Sequence, residues 1–350
     1  MKVLKFGGTS VGSAQRMKEV AKLITDGEQK IVVLSAMSGT TNTLVEISDY
    51  LYKKNPEGAN EIINRLEAKY KQHVNELYST DEYKQKTQEF IKAQFDYIRS
   101  YTKDIFTLFE EKVILAQGEL ISTNMVTNYL QEQGVNAILL PALEFMRTDK
   151  NSEPDPVYIK EKLAAQLEIH PDAEIYITQG FICRNAYGEI DNLQRGGSDY
   201  TASLIGAAVN ASEIQIWTDI DGMHDNDPRI VDKTSPVRHL HFEEAAELAY
   251  FGAKILHPTC VQPAKYANIP VRLLNTMEPT APGTLISNDT EKGKIKAVAA
   301  KDNITAIKIK SSRMLLAHGF LRKVFEIFES YQTSIDMICT SEVGVSVSID

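Results

Sequence analysis

The chain alternates short apolar runs with helix-like segments, and this alternation restricts its fold more than any other feature. Four β-rich runs are each followed by a polar turn and a helical pattern: KVLKF, QKIVVLSAM, AEIYITQGF and EIQIWTDI. Strands that are apolar along their whole length and separated by helices indicate a parallel sheet covered on both faces. Two further runs, NAILLP and IPVRLLN, would extend that sheet. The predicted fold class is therefore α/β, an αβα sandwich with a mainly parallel central sheet.

Residues 44–116 depart from this alternation and have helical patterns throughout. One pattern covers residues 90–115, and another places five apolar residues on one helical face: Ile62, Leu66, Tyr70, Val74 and Leu77. Such spacing is typical of an amphipathic helix. We interpret this segment as a helical insertion or lid after the second strand, whose apolar stripe packs in the core rather than forming a partner groove.

The last part of the chain, residues 296–350, has the pattern of a separate unit. NITAIKIK alternates as a strand, AHGFLRKVFEIFESYQ is amphipathic, and TSIDMICTS and VGVSVSID again indicate strands. The preceding segment, EPTAPGTLISNDTEKGK, is rich in turn-forming and charged residues, as a boundary should be. We therefore divide the chain into residues 1–295 and 296–350. Because the strand-like alternation is still running at Asp350, we expect the natural protein to be longer.

Charge and cysteine content exclude several classes of protein. A net charge of −9 argues against nucleic acid as the main partner, so an anion site must come from a few placed cations. Cys183, Cys260 and Cys339 are far apart and form no C-x-x-C motif, which indicates reduced thiols. No apolar run approaches the roughly 18 residues of a membrane span, and the amino terminus has no signal-peptide pattern. We expect a soluble cytoplasmic protein.

Glycine-bearing loops follow the predicted strands, and parallel sheets bind ligands at that edge. In the first loop, Lys5 ends the strand and is followed by Gly7 and Gly8. The spacing matches neither G-x-x-x-x-G-K-[ST] nor G-x-G-x-x-G. Lys5 is either a cation placed for an anionic ligand or a lysine that reaches the surface.

The segment QRGGSDYTA repeats this arrangement at the start of a helix. Helix amino termini attract anions, and the planar guanidinium of Arg195 suits a carboxylate. Asp199 could instead be an ordinary N-cap.

Three other segments contain candidate ligands or cations. Glu119 follows a glycine in AQGELIS and is either a helix cap or a ligand for a cation such as a substrate ammonium. Lys254 in GAKILHP lies near a predicted helix end, where lysines also interact with the helix dipole. WTDIDGMHDNDPR lacks the terminal glutamate of a calcium-binding EF-hand loop.

Taken together, the two lysines, the arginine, the paired glycines and the aspartate suit a polyanion such as a nucleoside triphosphate. The sequence has no evident Ser–His–Asp set, His/Cys metal cluster or protein-kinase motif. If the phosphoryl acceptor were a carboxylate with a pKa of about 4, it would be ionised at neutral pH. Catalysis would then need positioning and charge neutralisation but no base.

These motifs, in this order, resemble the aspartokinases of the amino-acid kinase superfamily. The resemblance covers the whole chain and rests on KFGGTS, SAMSGTTN, QGELIS, QRGGSDYTA, WTDIDGMHDNDPR and GAKILHP. The segment from residue 313 to residue 350 resembles the first half of an ACT regulatory domain. The resemblance implies the carbamate kinase-like fold for residues 1–295 and a partial, ferredoxin-like ACT unit for residues 296–350.

The resemblance also implies a role for each matching residue. Lys5 and Lys254 would neutralise the β- and γ-phosphates of ATP, and Asp199 would orient these lysines. Glu119 would hold the ammonium of aspartate and Arg195 its α-carboxylate. The implied hydrogen-bonding residues for the substrate are Ser35, Thr41 and Ser198. The implied nucleotide contacts are Lys5, Gly7, Gly8, Ser10, Thr218, Asp219, His224, Arg229, Lys254 and Ile255, and Mg²⁺ would be held mainly by ATP oxygens and water.

Two positions depart from the family pattern. His224 lies where many relatives have a tyrosine, and Ala317 replaces a serine common in lysine-sensing members. The tail residues that still match the effector site are Met314, Gly319, Phe320, Leu321, Asp336 and Thr340. The resemblance favours lysine over threonine as feedback inhibitor and implies a homodimer, because ACT units pair between subunits.

The implied activity is transfer of the γ-phosphoryl group of ATP to the β-carboxylate of L-aspartate. The product would be 4-phospho-L-aspartate, the first intermediate of lysine, threonine and methionine synthesis. Two alternatives remain open: another amino-acid kinase acting on glutamate or acetylglutamate, and an amino-acid-binding regulatory protein without catalysis. A nicotinamide-dependent dehydrogenase is disfavoured because the G-x-G-x-x-G fingerprint is missing.

Overall fold

The structure is a computed structural model that describes residues 1–103, 105–193, 196–227, 230–250, 256–289, 294–311 and 318–349. The chain forms two compact units, Met1–Val298 and Ala299–Asp350. None of the described helices is both long and apolar enough to cross a lipid bilayer.

The larger unit is built on a central sheet, which has eight strands in the described part of the chain. In chain order the strands of this unit are β1 (Lys2–Phe6), β2 (Lys30–Leu34), β3 (Ala137–Leu140), β4 (Ile175–Gln179), β5 (Ile182–Arg184), β6 (Ile190–Asn192), β7 (Ile214–Thr218), β8 (His239–His241), β9 (Val271–Asn275) and β10 (Thr284–Ser287). The sheet order is β3-β4-β2-β1-β7-β9-β10-β8, and β5 pairs with β6 as a separate hairpin. All described neighbours in the sheet are parallel except β9 and β10. The predicted mainly parallel α/β sheet is confirmed.

Helices cover both faces of this sheet. They are α1 (Ala14–Ile24), α2 (Thr40–Tyr52), α3 (Pro56–Leu77), α4 (Asp81–Ser100), α5 (Leu108–Glu132), α6 (Pro156–Ile169), α7 (Gly197–Ala208), α8 (Phe242–Tyr250) and α9 (Gln262–Tyr266). Successive residues of a strand point to opposite faces, so one strand contributes to two cores. In β1, Leu4 and Phe6 pack in the core that contains the stripe of α3, whereas Val3 packs with Ala202 and Ile205 of α7.

Residues 44–116 are largely helical, as predicted, and the stripe of α3 is buried in the core. The prediction of one continuous helical pattern over residues 90–115 is wrong. Helix α4 ends at Ser100, and α5 begins at Leu108, where Thr107 and Glu110 form a capping box. Such reciprocal side-chain bonds satisfy the free backbone N–H groups at a helix start, which fixes where α5 begins.

The smaller unit has the strand–helix–strand–strand order indicated by the sequence. Its elements are β11 (Thr305–Lys310), α10 (Phe320–Ser330), β12 (Met337–Ser341) and β13 (Gly344–Ile349). The strands pair antiparallel in the order β11-β13-β12. Val345 and Val347 are buried on one face of this sheet, and Val324 of α10 is buried as well.

Candidate functional site

The carboxyl ends of β4, β2, β1 and β7, which are neighbours in the sheet, bring four loops together. Backbone hydrogen bonds connect these loops just beyond the strands. Gly180 N–H donates to the Leu34 carbonyl at 2.9 Å, and Ser38 N–H donates to the Gly8 carbonyl at 3.1 Å. Since every loop comes from the same edge, the predicted ligand edge of the sheet is one continuous surface.

Lys5 and Asp199 form an ion pair at this edge. The Lys5 Nζ lies 2.7 Å from the Asp199 carboxylate, and both side chains are nearly buried, at 11% and 13% exposed. This burial excludes the alternative of a surface lysine. Asp199 is the third residue of α7, whose N-cap is Gly196, so the N-cap alternative is excluded as well. The pair places one cation, held by one carboxylate, at the end of a central strand.

A cavity of about 350 Å³ opens beside these elements. The predicted site residues that line it are Gly8, Ser35, Thr41, Glu119 and Ser198. The Ser35 and Ser198 hydroxyls share a hydrogen bond of 3.0 Å, which joins the loop after β2 to the start of α7. Residues from four separate segments thus converge on one polar cavity.

Glu119 supplies a buried carboxylate to the cavity. It lies in the middle of α5 and is 3% exposed, so it is not a helix cap. Its Oε1 accepts a hydrogen bond from the Ala36 N–H at 3.1 Å, while its Oε2 has no hydrogen-bond partner among the described residues. Burial raises the pKa of Glu119 to about 8. A buried carboxylate with one unsatisfied oxygen is suited to accept a cationic group from a ligand.

The glycine-rich loop after β1 runs close to its neighbours. A Cβ on Gly8 would lie 2.8 Å from the Ala36 carbonyl oxygen, and one on Gly7 would lie 3.5 Å from Lys5 Nζ. The Gly7 N–H already donates to the Trp217 carbonyl at 3.3 Å, so a phosphate would compete for it. Ser10 is fully buried, and its hydroxyl forms a hydrogen bond of 2.7 Å with the Thr276 hydroxyl. Its side chain therefore braces the loop from inside.

The other nucleotide residues predicted from the sequence are only partly described. Thr218 ends β7, and its hydroxyl accepts a hydrogen bond from the Ile220 N–H at 3.1 Å. His224 Nδ1 lies 2.8 Å from the Thr234 hydroxyl, and Asp219 is exposed in the loop after β7. Arg195, Arg229, Lys254 and Ile255 lie outside the described residues. No group of three potential metal ligands occurs in the part of the chain that the structure describes.

The predicted effector residues belong to the smaller unit. Gly319 is the N-cap of α10, which Phe320 and Leu321 begin. The Asp336 N–H donates to the Ser348 carbonyl at 2.9 Å, and Thr340 is exposed in β12. Met314 and Ala317 lie outside the described residues, so the role of this set stays a prediction.

Comparison with known proteins agrees with this geometry. The model of the amino acid kinase family matches residues 1–275. Lysine-sensitive aspartokinase 3 of Escherichia coli is 35% identical over 99% of this chain and 78% of its own length. The chain belongs to the amino acid kinase family, among the aspartokinases. The resemblance inferred from the motifs is confirmed.

A further relative and a solved structure define the extent of the likeness. Aspartokinase 1, chloroplastic, of Arabidopsis thaliana is 38% identical over 99% of this chain. The chain spans 63% of that relative's length. The crystal structure of E. coli aspartokinase III in complex with aspartate and ADP (R-state) superimposes with a TM-score of 0.86 at 34% identity. The superposition includes the whole of this chain and 78% of the chain in that crystal structure.

The structure shows cavity-lining residues that were not predicted from the sequence. Phe181 lines the cavity with a left-handed φ of +69°, and Met37 and Asn42 also line it. The sequence feature that could have identified these residues is their position just after β4 and β2, at the ligand edge of the sheet. Non-glycine residues in left-handed conformations concentrate at functional sites.

The start of α7 requires glycine for two reasons. Gly196 has a φ of +78°, and a Cβ there would lie 2.1 Å from Cys260 Sγ. A Cβ on Gly197 would lie 2.5 Å from the Phe181 ring. Because Ser198 and Asp199 follow at once, this close approach sets the position of both side chains.

We expect Gly196→Ala to lower the free energy of unfolding by about 3 kcal/mol, from left-handed strain together with overpacking. Gly134→Ala is the matched control, because Gly134 has a φ of +79° and nothing within 4 Å of an added Cβ. Gly134→Ala should lower the free energy of unfolding by about 1 kcal/mol, which is the cost of placing alanine in a left-handed backbone conformation. Urea denaturation measures both. Adding Cys260→Ala to Gly196→Ala should recover part of the loss, and equal losses in the two glycine variants would contradict the packing argument.

Proposed function

We propose that this protein transfers the γ-phosphoryl group of ATP to the β-carboxylate of L-aspartate, giving 4-phospho-L-aspartate. The observation that carries the proposal is the pairing of two features at one sheet edge. One is the buried Lys5–Asp199 ion pair, and the other is the cavity in which Glu119 presents an unpartnered carboxylate oxygen. The Lys5 ammonium can bind a phosphate group, and the Glu119 carboxylate can bind an ammonium group. This combination suits an enzyme that binds a phosphoryl donor next to an amino-acid acceptor.

In this mechanism the protein positions the reactants and neutralises charge. The β-carboxylate of aspartate is ionised at neutral pH, so it attacks the γ-phosphorus without losing a proton to a base. Lys5 would stabilise negative charge that develops on the transferred group, and Asp199 holds the Lys5 ammonium in place at 2.7 Å. Lys254 would act with Lys5 on the β- and γ-phosphates. The Gly8 backbone packs so closely against the 35–41 loop that a side chain at this position would displace the loop.

The substrate would be held by groups of opposite charge. The Glu119 carboxylate would accept the ammonium, and Arg195 would bind the α-carboxylate. Hydrogen bonds would come from Ser35, Thr41 and Ser198, which line the cavity together with Glu119. The nucleotide would be contacted by Gly7, Gly8, Ser10, Thr218, Asp219, His224, Arg229, Lys254 and Ile255. Mg²⁺ would be held mainly by ATP oxygens and water.

We further propose that the smaller unit is part of an ACT regulatory domain and that lysine is its inhibitor. The support is its strand–helix–strand–strand order and its similarity to lysine-sensitive aspartokinase 3 of E. coli. The effector set, the division at residue 295, the lid role of residues 44–116 and a homodimer belong to the same proposal. So do a cytoplasmic location and a place in lysine, threonine and methionine synthesis.

The activity is tested by trapping the acyl phosphate with hydroxylamine in the presence of ATP, Mg²⁺ and L-aspartate. We expect an aspartyl hydroxamate signal and none with glutamate. Lys5→Ala should lower kcat at least a hundredfold while aspartate binding changes little, since the charge acts mainly in transfer. Lys2→Ala is the matched control, because Lys2 lies at the other end of β1 and pairs with Glu28 on the surface.

Two outcomes of this assay would contradict the proposal. Near-normal kcat in Lys5→Ala would remove Lys5 from the chemistry. A hydroxamate signal that appears with glutamate instead of aspartate would move the substrate to another amino acid.

The pH dependence of the KM for aspartate tests the role of Glu119. Only the ionised carboxylate attracts an ammonium, and its pKa in the free protein is about 8. The KM should therefore fall by about tenfold from pH 6 to pH 7 and level off above pH 8, as the binding-competent fraction rises. Glu119→Gln has a similar shape and no titration, so its KM should be higher and independent of pH. A flat profile in the unaltered protein would show that Glu119 does not hold the ammonium.

A further inference from the structure

The 35–41 loop, between β2 and the first turn of α2, forms much of the cavity wall. Six of its seven residues line the cavity: Ser35, Ala36, Met37, Ser38, Gly39 and Thr41. The exception is Thr40, which is 1% exposed and points into the protein. The conformation of this loop therefore decides the shape of the cavity.

Helix α5 and the glycine-rich loop hold the beginning of the 35–41 loop. The Ser122 hydroxyl donates to the Ser35 carbonyl at 2.8 Å, and Glu119 accepts from the Ala36 N–H. Gly118 belongs to the same contact, because a Cβ there would lie 2.7 Å from the Ala36 Cβ. The same packing reaches the second half of the loop, because a Cβ on Gly118 would also lie 3.3 Å from the Thr40 Cγ2.

The second half of the loop lacks a local side-chain cap. Gly39 is the N-cap of α2, with a φ of +81°, and no side chain caps the helix there. A glycine N-cap offers no side-chain acceptor to the first backbone N–H groups of the helix and is less stabilising than a serine or aspartate cap by a few tenths of a kcal/mol. The first turn of α2 therefore depends on tertiary contacts for its position.

Helix α3, in the insertion, supplies side-chain hydrogen bonds to this part of the loop in addition to the packing of α5. The Tyr70 hydroxyl lies 2.9 Å from the Thr40 hydroxyl, and both residues are 1% exposed. The Tyr70 ring packs against Phe95 at 5.9 Å between centroids, which fixes its direction. The neighbouring Lys69 reaches the Ser38 carbonyl at 3.4 Å. No residue of α3 lines the cavity, so Tyr70 can affect a ligand only through its neighbours, which are the 35–41 loop at Thr40 and the nearby Glu119 carboxylate.

We propose that Tyr70 is a positioning residue whose buried hydroxyl, through Thr40, holds the 35–41 loop in the conformation that binds the amino-acid substrate. The identity of that substrate rests on the proposed function, whereas the restraint on the loop does not. The helical insertion thereby contributes to substrate binding without touching the substrate.

The test compares two buried tyrosines of the insertion. Tyr70→Phe removes the bond to Thr40, and Tyr78→Phe removes a bond of 2.7 Å to the Met125 carbonyl, away from the cavity. Both should lower the Tm. Only Tyr70→Phe should raise the KM for aspartate, by about fivefold with kcat within twofold, because a buried hydrogen bond contributes roughly that factor. Amide hydrogen exchange over residues 35–44 should become about fivefold faster in Tyr70→Phe alone.

A second variant keeps the test independent of one substitution. Thr40→Val removes the partner hydroxyl and should reproduce the Tyr70→Phe effects, and the double variant should show no further increase. An unchanged KM together with unchanged exchange in Tyr70→Phe would overturn the inference, as would equal changes in Tyr78→Phe. If aspartate is not turned over by the unaltered protein, the proposed function fails, and the exchange comparison still decides the role of Tyr70.

Discussion

The Lys5–Asp199 ion pair is the interaction around which the rest of the site is arranged. Removing two charges from water is costly, and their mutual attraction offsets that cost only when the geometry is good. The geometry here needs β1 and the first turn of α7 in direct apposition, with Lys5 on the same face of β1 as Val3. A well-packed apolar pair would serve stability at least as well, so the charges are best explained by chemistry at the strand end.

The close packing that this ion pair requires explains the glycines of the site. Gly8 lies against Ala36, Gly197 against Phe181, and a Cβ on Gly180 would lie 2.5 Å from the Cβ of Ser198. Each contact brings one loop against another at a distance that a side chain would prevent. Backbone from separate segments can therefore surround a small cavity and leave polar atoms directed into it. Glycine serves here mainly through its missing Cβ, and at Gly196 also through its left-handed backbone.

The sequence predicted the parts of the fold whose signal is local. The apolar runs of β1, β2, β4 and β7 are long enough to indicate strands. Strand β8, at the sheet edge, has only three residues, and β10 lies within a segment rich in turn-forming and charged residues. Glu119 was ambiguous because Gly118 resembles a helix boundary, and only the contact of Gly118 with Ala36 explains a glycine inside α5. The left-handed backbone of Phe181 and the Tyr70–Thr40 bond arise from tertiary contacts, which a pattern in one segment does not report.

The two halves of the site come from different parts of the chain, and this separation bears on specificity. The Lys5–Asp199 pair proposed to act on phosphate lies on β1 and α7, whereas Glu119 and several contacts that hold the 35–41 loop come from the helices between β2 and β3. Substitutions in these helices can therefore change the charge or shape of the acceptor cavity while the Lys5–Asp199 pair stays in place. Selectivity for an amino acid depends on burying Glu119, because a water-exposed carboxylate would discriminate weakly among cations. Tyr70 of the helical insertion lies close enough to Glu119 for the two side chains to interact electrostatically, so the insertion contributes to the environment that sets this selectivity.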